Sequence, residues 1–167
     1  MPNAAGKPQP SPPEIGFWKN WASCNNSNGK QAPVLDQTLA LFPIGVNQTT
    51  HGFYLGTLYV DTCAEAVSLL NKSTLNGKKS ASDPIFNMTA QLVAALLNLK
   101  AGAATCGNLD QTIAQALTLL SVHNFNGNTY TPKLTAAEAT YANQLATILD
   151  NYNNTSACPG AAPPPAP

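Results

Sequence analysis

Apolar residues return every three or four positions over four stretches of this chain, and three of the stretches open on a side chain that can cap a helix. Thr62-Cys63-Ala64-Glu65 has the capping-box spacing, in which the Thr oxygen and the Glu carboxylate each take a backbone N–H that the first helical turn leaves unpaired. It predicts a helix through Ala66, Val67, Leu69 and Leu70 that is over by Asn76-Gly77. Asp83-Pro84 starts a second, because Asp accepts from the first amides and Pro lacks only an N–H that the first turn does not use. This helix runs to Lys100. Ile85, Met88, Leu92, Leu96 and Leu99 form one stripe on it and Phe86, Val93 and Leu97 another, the pattern of a central helix covered on more than one side. Leu109, Ile113, Leu117 and Leu120 predict a third helix over Leu109–Ser121, with Asp110 placed to meet its dipole, followed by a turn at Phe125-Asn126-Gly127-Asn128. A second capping box, Thr135-Ala136-Ala137-Glu138, opens a last helix carrying Tyr141, Leu145, Ile148 and Tyr152 on one face and ending by Asn153-Asn154.

Upstream the pattern changes. Residues 33–60 are rich in Pro, Gly, β-branched and aromatic residues, and Phe53 to Val60 reads as a small hairpin. The predicted fold is therefore mainly α, an irregular four-helix bundle with a small β-hairpin near the N-terminal third. Proline-rich sequence flanks it on both sides. Residues 1–14 read as an extended linker, 15–158 as the domain and 159–167 as a second proline-rich tail, the layout of a bead between spacers.

Composition narrows the function classes. Eight basic and eight acidic residues give no net charge, there is no arginine, and Lys78-Lys79 is the longest basic run, so the phosphate neutralisation that nucleic-acid binding needs is missing. The longest apolar stretch, around Leu92–Leu99, is broken by Asn98 and is too short for a membrane span. Charged residues make up only 10% of the chain, against roughly 25% in an ordinary soluble domain. The polar surface is thus mostly Asn, Thr, Ser and Gln. Cys24, Cys63, Cys106 and Cys158 are even in number and widely spread, with no Cys-x-x-Cys and no neighbouring His to suggest zinc. Two disulfides are expected, the alternative being four unconnected buried thiols of an intracellular protein. Spacing leaves all three pairings open; the working expectation is Cys24 with Cys63 and Cys106 with Cys158. Disulfides imply an oxidising compartment. The opening residues carry no signal-peptide pattern, so the expectation is a secreted or cell-surface protein whose leader has been removed.

Gly16-Phe17-Trp18-Lys19-Asn20, placed just after the proline-rich stretch, resembles the opening of G-[YF]-W-K-N-H modules of bacterial secreted and cell-surface proteins. The likeness continues through Leu55-Gly56-Thr57-Leu58-Tyr59, the run Ala90 to Asn98, and Leu149 to Asn154, in the order in which those modules carry such segments. Trp21 stands where the family has His. The resemblance implies an extracellular accessory module, often one of several in a long protein, and implies no catalytic residue.

No motif of cofactor, metal or nucleophile chemistry is present, and His51 and His123 read as ordinary loop or helix-end residues. Most carboxylates already have capping explanations, which leaves few for acid–base work. The candidate binding residues are aromatic: Phe17, Trp18 and Trp21 at the start of the domain, Tyr54 and Tyr59 in the hairpin. A flat ring offers apolar area to a glycan or extracellular polymer at little entropic cost. For Trp18 the favoured reading is a core plug that fixes the entry of the linker, ahead of an exposed ring. The function expected is thus a non-catalytic structural or adhesive module whose partners are neighbouring domains, a glycan or an extracellular polymer. A polymer-binding module and a small unrecognised hydrolase are the alternatives. Six Asn-x-Ser/Thr sequons, at Asn25, Asn47, Asn71, Asn87, Asn153 and Asn154, would be glycosylation sites in a eukaryotic secretory route; in a chain this rich in Asn and Thr, and with the bacterial resemblance, accident is the expectation.

Overall fold

The computed structural model describes residues 15–21, 24 and 34–165, with only the backbone of Asn20 and Trp21; the proline-rich linker read over 1–14 lies outside the described residues. About 51% of the chain is helical. A π-helix, Phe17–Trp21, is followed by α1 (Val34–Leu39), β1 (Phe53–Leu55), β2 (Leu58–Val60), α2 (Cys63–Leu70), α3 (Pro84–Lys100), α4 (Leu109–Val122) and α5 (Ala136–Thr155). The four longer helices and the hairpin are those the periodicity predicts. The π-helix and the six-residue α1 are additions, both shorter than a periodic signal can reveal.

The caps form as the sequence dictates. Thr62 and Glu65 close a reciprocal capping box on α2, Thr135 and Glu138 another on α5, and Asp83 Oδ1 accepts from Ile85 N at 2.9 Å at the head of α3. Asn126 Oδ1 accepts from the amides of Asn128 and Thr129, at 2.9 and 2.8 Å, and shapes the predicted turn.

Helix α3 is the axle of the molecule. Twelve of its 17 residues are buried, and it packs most extensively on α5 and further on α1, α2 and α4. Each fully buried Leu in it stabilises the fold by roughly 1.5–3 kcal/mol. A chain of buried amides crosses the same core: Trp18 Nε1 donates to Asn98 Oδ1 at 2.8 Å, Asn98 Nδ2 donates to Asn153 Oδ1 at 3.0 Å, and Asn153 Nδ2 donates to Gln91 O and Oε1 at 3.0 Å. The N-terminal π-helix, α3 and α5 are thereby keyed together by directional bonds in an otherwise apolar interior.

The hairpin is antiparallel, with Phe53 opposite Val60 and Leu55 opposite Leu58. Its turn fits only glycine at Gly56, where φ is 62° and an added Cβ would lie 2.5 Å from Phe125 O. Thr57 N, donating to the same Phe125 O at 2.8 Å, locks the hairpin to the end of α4.

Two disulfides close the fold, Cys24–Cys63 and Cys106–Cys158, the expected pairing. One fixes the entering chain to the first turn of α2. The other fixes the end of the domain to the α3–α4 connection. Beyond Cys158 the chain does not leave at once, as a simple spacer would: Asn108 N donates to Pro159 O at 2.9 Å and Gln115 Nε2 to Pro163 O at 3.0 Å, so the first part of the tail lies along α4.

Candidate functional site

Between α1 and β1 the chain makes a loop whose polar groups are turned inward onto two phenols. Tyr59 Oη accepts from Gly45 N at 2.9 Å and donates to Thr50 O at 2.6 Å; Tyr54 Oη donates to Val46 O at 2.9 Å and accepts from Gln48 Nε2 at 2.8 Å. The two rings stand 4.8 Å apart, tilted by 52°. Gly45 lies so close against them that a Cβ there would come within 2.7 Å of the Tyr59 ring. The base of the loop is fastened as well. Thr50 Oγ1 donates to Asp61 Oδ2 at 2.6 Å, Gly52 N to Pro43 O at 3.2 Å, and His51 Nδ1 to Phe42 O at 2.6 Å, which places a hydrogen on that nitrogen because a carbonyl can only accept. Phe42 itself is buried against Phe53.

With its hydrogen bonds satisfied internally, the loop shows solvent its aliphatic side chains. Leu41 is 61% exposed, Ile44 51% and Val46 79%, and Tyr54, beside the loop on β1, 41%; these are four of the five exposed large hydrophobics among the described residues. Single exposed apolar residues mean little, but a group of them on a pinned loop makes it the candidate for an interaction surface.

The aromatic residues singled out in the sequence divide. Tyr54 and Tyr59 come together as described. Trp18 does not belong to the site: it is fully buried and bonded to Asn98, so its ring is a core plug with no face for a ligand. Phe17 is half-buried, edge-on to Trp18 at 5.2 Å, and packs on the same core. The Trp21 side chain lies outside the described residues. Leu41, Ile44 and Val46 escape a sequence reading because aliphatic residues are assigned to the core by default; the turn formers Pro43, Gly45 and Asn47 around them are the signal that could have moved them out.

No family model, curated protein or solved structure matches this chain.

His123 lies nearest to a catalytic arrangement. It is buried at the end of α4, with Nε2 2.6 Å from Glu138 Oε2 and Nδ1 on Pro132 O, so both ring nitrogens are engaged by acceptors. The backbone N–H of Thr135 and, next, the His123 ring hold the Glu138 carboxyl below its ordinary value. The pair joins the end of α4 to the start of α5. Nearby, Tyr130 donates to both carboxylate oxygens of Asp83, at 3.1 and 3.0 Å, and burial together with that carboxylate pushes its hydroxyl up to about 12. Other carboxylates also serve the scaffold: Asp110 accepts from Thr105, Asp150 from Asn154, and Glu65 caps α2. Among the described residues no group of three or more His, Cys, Asp and Glu is placed to hold a metal ion, and no helix is long and apolar enough to cross a membrane.

A shallow groove of about 600 Å³ runs along α5, between Thr140, Asn143, Gln144, Thr147 and Ile148 on one side and Ala161 and Pro163 of the tail on the other. Of the sequons, Asn153 is fully buried with its amide bonded to Asn98 and Gln91, which bars a glycan there; Asn47, Asn71 and Asn154 are exposed.

Proposed function

We propose that this chain is a non-catalytic structural or adhesive module of a secreted or cell-surface bacterial protein, presenting the loop over Leu41–Tyr54 to a partner. The observation that carries the reading is the pinning of that loop: Tyr54 and Tyr59 use both hydroxyls to hold the backbone while Leu41, Ile44 and Val46 face solvent. A rigid apolar surface loses little entropy on docking. Support also comes from the two disulfides, which belong to an oxidising compartment, and from the use of the carboxylates as caps and braces. Neighbouring domains of a longer protein are the partners that suit an aliphatic patch.

One observation favours a second reading, a glycan- or polymer-binding module. Tyr54 is 41% exposed and the amide of Gln48 sits on its hydroxyl, a ring and a hydrogen-bonding group side by side.

Beads coated with the oxidised protein test both. The first reading expects retention on partner-domain surfaces that falls several-fold in Val46→Asp, and retention unchanged by that substitution counts against it. The second expects glycan binding lost in Tyr54→Ala. Reproducible turnover of any substrate, abolished by changing one His or carboxylate, removes both in favour of a hydrolase.

A further inference from the structure

The disulfides do more than close the fold, because their positions decide which part of the domain a pull on its two ends can stretch. Tension arriving along the N-terminal linker reaches Cys24 and crosses directly to Cys63; tension leaving through the C-terminal tail reaches Cys158 from Cys106. The bridges bypass 39 and 52 of the 134 peptide steps between Cys24 and Cys158, and 43 remain in the covalent path. Those 43 steps run from Cys63 to Cys106 and contain α2 and α3. We propose that the domain is a tension-bearing link in which, between Cys24 and Cys158, the covalent load path runs only through the stretch with α2 and α3, while the segment carrying the apolar loop and the segment carrying α4 and α5 are covalently shielded.

The arrangement puts the load where the fold is best able to resist it. Residues 63–106 cannot lengthen fully until α3 leaves the core, and α3 has twelve of its 17 residues buried and is keyed to α5 through Asn98, Asn153 and Gln91. Two elements outside the bridges also lie in the path: the docked tail, held by the single hydrogen bonds Gln115–Pro163 and Asn108–Pro159, and the π-helix before Cys24, held by the buried Trp18. Leu41, Ile44, Val46 and Tyr54 all lie between Cys24 and Cys63, on chain that the first bridge removes from the path. A partner held on this loop therefore stays attached to a segment that tension does not extend. The inference rests on the structural reading for its use to the cell, whereas the load path itself follows from the bridges alone.

Single-molecule force spectroscopy of the full oxidised chain, held by handles at its two termini, tests it. At about 3.5 Å per residue, unfolding with both bridges closed releases roughly 150 Å of chain from residues 63–106, and the stretches outside the bridges, residues 15–24 and 158–165, add up to roughly 55 Å, before subtraction of the folded length. Adding a thiol reductant while the unfolded molecule is held under load should then give two further steps, of roughly 140 Å and 180 Å, as Cys24–Cys63 and Cys106–Cys158 open and admit their bypassed residues. Protein reduced beforehand should release roughly 470 Å from between Cys24 and Cys158, about three times the oxidised value for that stretch. Release well beyond roughly 210 Å from oxidised protein before any reductant is added, or the absence of thiol-dependent steps, overturns the proposal. The expected steps without bead retention would leave the load path standing and remove the adhesive reading; retention with a release beyond that length would do the reverse.

Discussion

Replacing Asn98 by Leu, which keeps the branched shape and the number of side-chain heavy atoms, should destabilise the fold far more than that similarity suggests. The amide receives the Trp18 indole N–H at 2.8 Å and donates to Asn153 at 3.0 Å, and all three residues are fully buried. Leucine fills the space but leaves the indole donor and the Asn153 oxygen facing hydrocarbon. An unsatisfied buried polar group costs about 1–3 kcal/mol, so two cost about 2–6 kcal/mol, offset by roughly 1 kcal/mol of added apolar burial. The net loss of about 1–5 kcal/mol lowers Tm by roughly 2–20 °C in a domain of this size. Urea denaturation followed by far-ultraviolet circular dichroism, with disulfides intact, reads it directly. Trp18→Phe, which removes the donor, should cost less in the Asn98→Leu background than in the wild type, because the partner it abandons is already gone. An Asn98→Leu protein within about 0.5 kcal/mol of wild type, or strictly additive losses in the double variant, would refute the claim that this amide chain holds the π-helix, α3 and α5 together.

Three further outcomes follow from the same structure. Gly56→Ala should cost more than about 1 kcal/mol by the same assay, since the left-handed backbone there is strained with a side chain and the new Cβ meets Phe125 O at 2.5 Å. Because the Glu138 carboxyl is held below its ordinary value in the folded protein, its contribution is present above the unfolded value and is lost as pH falls through the lower folded one; stability should decline on acidification, and less steeply in Glu138→Gln. Tyr59→Phe removes both bonds that hold Gly45 and Thr50, so the Gly45 amide should exchange about five-fold faster or more, for a local loss of about 1 kcal/mol, with the global Tm little changed.

The caps were readable because each is a contact within two or three residues: Thr62 with Glu65, Asp83 with Ile85 and Thr135 with Glu138 need no tertiary information. The burial of α3 was readable too, from two apolar stripes on one helix. What escaped depends on distant partners. Trp18 pairs with Asn98, 80 residues away, and nothing local distinguishes a core tryptophan from an exposed one. Helix α1 is six residues long, less than two turns, and sits in a stretch whose prolines and glycines suggest turns. Of the site, the two hairpin tyrosines were visible as strand formers. That their hydroxyls reach back to Val46 and Thr50 was not, because the bonds exist only once the loop has folded over the hairpin.

The account stands most directly on the two bridges. Peptide mapping of unreduced protein recovered from outside its native cells should yield the linked fragments Cys24–Cys63 and Cys106–Cys158 with no thiol open to alkylation; free cysteines, or either of the other two pairings, would contradict it.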